Sequence, residues 1–124
     1  MQFEQYVDLL GVPFERGGRG PDRYDCYGLV IELYRRQGVN LPDFESPGTL
    51  EKIEQLLDDE SKKWRKVPAM TPNSVIHFRV DTYGAHVGVM LDGDRFIHTT
   101  DGTGVTTDRI GSGGYNPIGF YIYE

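Results

Sequence analysis

The sequence predicts an α+β fold in which N-terminal helices pack on one face of a C-terminal antiparallel β-sheet of about five to six short strands. Three observations carry this. Apolar residues recur at helical spacing as far as Leu57, and beyond Trp64 they alternate. Sixteen of the 124 residues are glycine, roughly twice the ordinary share of about 7%, which suits many turns and short strands and argues against a helix bundle. The length is enough for one continuous core, so residues 1–124 are expected to form a single domain.

Each element follows from its local pattern. Phe3, Tyr6, Val7 and Leu10 lie at i, i+3, i+4 and i+7, the stripe of a short amphipathic helix ended by Gly11 and Pro13. From Gly11 to Tyr24 the chain is rich in Gly, Pro and Arg and reads as a structured loop. Its glycines lack the Gly-Lys-Ser/Thr ending of a phosphate loop, so they are turn formers. A second helix starts at once, with Asp25 as N-cap, Cys26, Leu29, Val30, Leu33 and Tyr34 on one face, and Gly38 as its stop. A third is expected from Ser46-Pro47, with Leu50, Ile53, Leu56 and Leu57 as its buried stripe. Strands are expected at Trp64–Val67, Val75–Val80, Ala85–Leu91, Arg95–Thr99, Val105–Ile110 and Ile118–Tyr123.

Composition narrows the function. With 38% hydrophobic and 26% charged residues the chain is neither disordered nor able to span a bilayer with an apolar run. Nineteen acidic against 13 basic side chains give a net charge of −6, and that field repels phosphate backbones, so nucleic acid is not an expected partner. Met1–Asp8 carries acids where a secretory signal carries a basic stretch and an apolar run. Cytoplasmic synthesis without a signal peptide is the expectation. The single cysteine, Cys26, can form neither an intrachain disulfide nor a paired-cysteine zinc site.

The three histidines are sorted by their strands. In Val75–Val80 the apolar face is Ile76, Phe78 and Val80, so His77 points the other way beside Arg79 and is expected to be exposed or half-exposed. His86 shares a face with Gly88 and Met90, and His98 shares one with Phe96 and Thr100. Whether they meet depends on the hairpin between them. A two-residue Gly93-Asp94 turn pairs His98 with Val89 and sends the rings to opposite sides; a three-residue Asp92-Gly93-Asp94 loop pairs His98 with Gly88 and His86 with Thr100. In the second register the imidazoles lie diagonally across a position without a side chain.

Cys26 in a helix first turn is the third ingredient, because the helix N-terminus and a neighbouring imidazolium both favour thiolate. With the helix packed on the sheet face that carries His86, Cys26 is a nucleophile, His86 its general base and His98 the group that fixes the ring. Two other readings fit the same residues. Cys26 on an apolar helix face is also what a core cysteine looks like, and Cys26, His86, His98 and Asp101 could ligate zinc. Asp25 is an N-cap first and a substrate contact second.

Asp25-Cys26-Tyr27-Gly28-Leu29-Val30, then His86-Val87-Gly88-Val89-Met90, then Phe96-Ile97-His98 resemble the NlpC family of papain-fold cysteine peptidases, in which these motifs occur in this order. The loop from Gly11 to Tyr24 is similar to the branch found in bacteriophage tail assembly and tail-tip proteins. The resemblance implies a papain-like NlpC-type fold and hydrolysis of an amide in peptidoglycan stem peptides, commonly between γ-D-glutamate and the following diamino acid. It also implies Cys26, His86 and His98 as catalytic residues, no cofactor or metal, and Asp25 as a hold on a substrate amine. A phage tail would supply protein partners and place the chain in a virion; a tail component of the same fold with little or no hydrolysis is the alternative. Two departures bear on the site. Tyr27 stands where relatives often have serine, and Phe14 stands where they often have a tyrosine that helps the oxyanion site. Oxyanion support then rests on the Cys26 backbone N–H and a substitute such as Tyr24 or Tyr27.

Overall fold

The computed structural model describes residues 1–43, 63–79 and 85–123. Within them one α-helix, α1 (Cys26–Arg35), lies against an antiparallel sheet of six strands: β1 (Trp64–Val67), β2 (Val75–Arg79), β3 (Ala85–Met90), β4 (Arg95–Thr100), β5 (Gly104–Arg109) and β6 (Asn116–Tyr123). The strand order is β1-β6-β2-β3-β4-β5. The strands agree with the alternating patterns of the sequence to within a residue or two, which is the reach of boundary assignment. The third expected helix, from Ser46, lies outside the described residues. No described helix is long and apolar enough to cross a membrane.

The first expected helix is instead two 3-10 turns, Phe3–Gln5 and Val7–Leu9. Tyr6, at φ −134° and ψ −8°, breaks the run, and the bonds close at i→i+3, as in Tyr6 N–H to Phe3 O (3.1 Å) and Leu9 N–H to Tyr6 O (2.9 Å). The buried pair is therefore Tyr6 and Leu9, while Phe3, Val7 and Leu10 face solvent. Past this turn the chain is tied to β5, with Gly11 N–H on Val105 O and Val105 N–H on Val12 O, both at 2.9 Å.

Helix α1 forms where the sequence expects it. Asp25 has extended backbone geometry and its carboxylate accepts the Gly28 N–H at 2.7 Å, satisfying an otherwise open donor of the first turn. At the other end Gly38, at φ +81°, lets the chain turn back so that Val39 N–H reaches Tyr34 O at 3.0 Å. Leu29, Val30 and Leu33 pack on Val75, Val87, Val89 and Ile97 from one face of the sheet. Ile76, Phe78, Met90, Phe96 and Phe120 form a second cluster on the other face. Both faces of β2 are thus covered, which corrects the expectation for His77: it is 1% exposed, because alternation reports one wet face only when the sheet has one.

Candidate active site

The β3–β4 connection is the three-residue Asp92-Gly93-Asp94 loop, with Leu91 N–H on Arg95 O at 2.8 Å and register pairs Val89↔Ile97 and Met90↔Phe96. This places His98 opposite Gly88. A Cβ on Gly88 would stand 3.0 Å from Ile97 O and 3.3 Å from the His98 Cβ, so the missing side chain is what lets the rings approach. They do: His86 Nε2 and His98 Nδ1 are 2.8 Å apart. His98 Nε2 in turn lies 2.7 Å from Asp108 Oδ2 on β5. Tyr115 tilts over His86 at 5.3 Å between ring centroids and stands edge-on to His98 at 5.0 Å, with Phe78 and Phe96 closing the other sides.

The helix packs on the face of β3 that carries Val87 and Val89, so the condition that Cys26 and the His86 side chain share a face is not met. Cys26 joins the cluster containing Val87 and Val89, while the His86 ring lies among the aromatics of the other cluster. Strands β3 and β4 are paired only at Val89↔Ile97 and Met90↔Phe96 although both run further. The backbone N–H of Val87, the residue after His86, reaches the Cys26 sulfur. The N–H groups of Cys26 and Tyr27 also favour negative charge there. No hydrogen bond joins Cys26 directly to His86 among the bonds of the described residues.

Electrostatics set the resting protonation. Burial pushes the Cys26 thiol up to about 11, more than the three backbone N–H groups pull it down, and the Asp25 charge adds to the rise. Burial pushes His86 down to about 3, with His98 adding in the same direction. His98 is lowered too, by burial first, with Asp108 opposing. Burial thus favours the neutral thiol and neutral imidazoles over the thiolate–imidazolium pair that helix position alone suggests.

Three expected contacts are corrected. Asp25 is 3% exposed, and its oxygens are engaged by Gly28 N–H, by Gly17 N–H at 3.1 Å and by Arg19 Nη1 at 2.8 Å. It organises the loop and caps the helix rather than facing a substrate amine. Tyr27 donates its hydroxyl to Pro42 O at 2.7 Å, with the Arg19 guanidinium 5.9 Å above its ring. Tyr24 is buried with its ring against Gly20, under the charges of Glu32 and Arg36. The Tyr27 hydroxyl is thus engaged by Pro42, and the donors the described residues place at Cys26 are the backbone N–H groups of Cys26, Tyr27 and Val87. The zinc reading is not assembled either: among the described residues no group of three or more His, Cys, Asp or Glu is placed to hold a metal ion.

Asp108 is the residue that sequence reasoning missed. The signal was available: a three-residue Asp101-Gly102-Thr103 loop pairs His98 with Thr106, and Asp108 is then the diagonal neighbour on the same face.

Residues 11–120 match the model of the NlpC/P60 family. The chain belongs to the NlpC/P60 family. It is 31% identical over 103 residues to the Escherichia coli K12 protein named murein DD-endopeptidase MepS/murein LD-carboxypeptidase, covering 82% of this chain and 50% of that one. It is 26% identical over 113 residues to a probable endopeptidase p60 of Listeria grayi, covering 90% of this chain and 20% of the relative. The chain thus spans half or less of the length of these relatives. Among solved structures, NlpC1 from Trichomonas vaginalis superposes with a TM-score of 0.71 at 24% identity, covering 97% of this chain and 42% of that one. The NlpC/p60 domain of the peptidoglycan hydrolase SagA superposes with a TM-score of 0.64 at 19% identity, covering 98% and 94%. The papain-like α+β fold of the NlpC/P60 family is therefore the fold of this chain.

Proposed function

We propose that this chain is a cysteine peptidase that hydrolyses an amide in peptidoglycan stem peptides. The observation that carries the reading is the Cys26 sulfur at the start of α1, fed by the Val87 N–H beside a hydrogen-bonded His86–His98 pair. The names of the Escherichia coli and Listeria relatives support the reaction class.

The chemistry runs from the neutral pair. As Sγ attacks the amide carbon, the thiol proton passes to His86, which suits a base that is neutral at rest. The carbonyl oxygen becomes an oxyanion facing the α1 N-terminus, where backbone N–H groups stabilise it. Collapse breaks the C–N bond, and the leaving amine takes the proton from His86. Water, deprotonated by His86, then cleaves the thioester and returns the thiol. Each step needs one ring nitrogen and no cofactor. The bond proposed is that between γ-D-glutamate and the following diamino acid.

A second reading has its own support: Phe14 lacks a donor and the Tyr27 hydroxyl is engaged by Pro42 O, which among these residues leaves the oxyanion to backbone N–H groups. That favours a phage-tail component of this fold with weak hydrolysis, synthesised in the cytoplasm and carried in a virion. One experiment separates the two. Muropeptides incubated with wild type and with Cys26→Ala are compared by mass spectrometry, scoring γ-D-glutamyl, DD and LD bonds separately. New amino termini with wild type alone support the peptidase; identical spectra from both refute it.

A further inference from the structure

The ring nitrogens of the two histidines are hydrogen-bonded in series, and the series ends on a carboxylate. His86 Nε2 meets His98 Nδ1 at 2.8 Å, and His98 Nε2 meets Asp108 Oδ2 at 2.7 Å. Each contact needs one proton. An ionised carboxylate only accepts, so the proton of the second contact sits on His98 Nε2. A neutral His98 then has a lone pair on Nδ1, and the proton of the first contact must come from His86 Nε2. A neutral His86 carrying its proton on Nε2 has its remaining lone pair on Nδ1.

We propose that Asp108 is a positioning residue that fixes the tautomers of both histidines, leaving His86 Nδ1 as the base for Cys26. The inference deepens the peptidase reading but stands on hydrogen-bond geometry that holds without a substrate. Reversing the series would require Asp108 to donate, or His98 to carry both protons; in the latter case Nδ1 donates to His86 Nε2 and the proton of His86 moves to Nδ1, removing the base. Burial of both rings works against that second state. The Asp108 carboxylate stands at the solvent end of the series. Its side chain is 41% exposed and opens on a surface depression of about 440 Å³ that it shares with Arg95, Thr107, Arg109 and Ser112. The charged groups around it are Arg95, which reaches Thr107 Oγ1 at 3.2 Å, and Arg109, which pairs with Asp94 at 2.7 Å. His98 itself is 1% exposed, so the carboxylate is the series' outlet to solvent.

The test reads tautomers directly. Long-range ¹H–¹⁵N spectra of the ¹⁵N-histidine-labelled protein at pH 7 distinguish a protonated Nε2 from a protonated Nδ1 in each ring. Expected are Nε2–H tautomers for both His86 and His98 in wild type, and loss of the single tautomer at both in Asp108→Ala. An Nδ1–H signal at His86 in wild type, or unchanged tautomers in Asp108→Ala, would overturn the proposal. Asp108→Asn offers a side chain that can also donate, and Asp108→Glu restores the carboxylate. On muropeptides Asp108→Asn is expected to lower kcat roughly 100-fold with KM unchanged, the lower end of what general-base assistance supplies, and Asp108→Glu to recover most of it. A loss confined to KM, or no rescue by Asp108→Glu, would refute action through His98. Should wild type cleave no muropeptide, the peptidase reading fails while the tautomer spectra still decide the role of Asp108.

Discussion

Replacing Asp25 by alanine separates a carboxylate that builds the site from one that binds substrate. In the structure Oδ1 accepts from Gly28 N–H at 2.7 Å and Arg19 Nη1 at 2.8 Å, and Oδ2 accepts from Gly17 N–H at 3.1 Å. Loss of an N-cap costs about 1 kcal/mol. Each further hydrogen bond to a charged acceptor contributes about 1.5–3 kcal/mol, but Arg19 keeps its bond to Asp43 at 2.9 Å, and contributions from one carboxylate overlap. A net destabilisation of about 3 kcal/mol follows for Asp25→Ala. For a chain of this length that corresponds to a fall in Tm of roughly 12 °C. Asp25→Asn is expected to lie between, since Oδ1 can still accept from Gly28 while an amide NH2 meets Gly17 N–H. Urea and thermal unfolding followed by circular dichroism measure both. If Asp25→Ala unfolds within about 0.5 kcal/mol of wild type and instead raises KM for muropeptides, the carboxylate serves substrate and the structural reasoning fails.

Three further outcomes follow from the same distances. Gly28→Ala puts a Cβ 2.1 Å from Gly18 O, a backbone atom that cannot yield, so the variant is expected to fold poorly; a wild-type Tm would contradict the close approach of loop and helix. Gly88→Ala crowds Ile97 O at 3.0 Å and the His98 Cβ at 3.3 Å, an overpacking worth about 1–3 kcal/mol; kcat is expected to fall more than stability, and full activity would show that the histidine pair tolerates displacement. His86 and His98 are both held below the ordinary 6.5, so the unfolded chain binds protons that the folded one refuses, and stability should fall as pH drops from 6.5 toward 5, before most carboxylates titrate. The opposite sign applies to Cys26, raised from 9.0 to about 11, which costs stability as pH rises through that window. Urea midpoints that stay flat from pH 7 to 5, and iodoacetamide labelling of Cys26 that does not climb with alkalinity, would each contradict the neutral resting pair.

Much of the fold was legible because local rules and tertiary structure agree. Asp25 as cap, Gly38 as stop and the alternation around β1 to β6 are short-range signals, and the choice between two hairpin registers was already a choice between two arrangements of His86 and His98. What escaped depends on layers. His77 obeys alternation, but the second face of β2 is covered, and one strand's pattern does not reveal its neighbours. Phe3 and Val7 fit a helical stripe that is too short to be decided by period alone, and Tyr6 breaks it. The sequence leaves open which face of the sheet the helix covers, and a shared face with His86 is the condition that direct contact with Cys26 sets. The contact between the Val87 N–H and the Cys26 sulfur is a long-range feature with no signature in spacing. Asp108 required only the hairpin argument applied once more.

The sheet divides the machinery into two workshops, the sulfur in the helix layer and the imidazoles among the aromatics beyond it. Alterations in the helix layer, at Leu29 or Leu33, would move the sulfur without touching the imidazoles; alterations among Phe78, Phe96 and Tyr115 would retune the base without moving the sulfur. A descendant of this chain could therefore trade reach for basicity, or the reverse, one layer at a time.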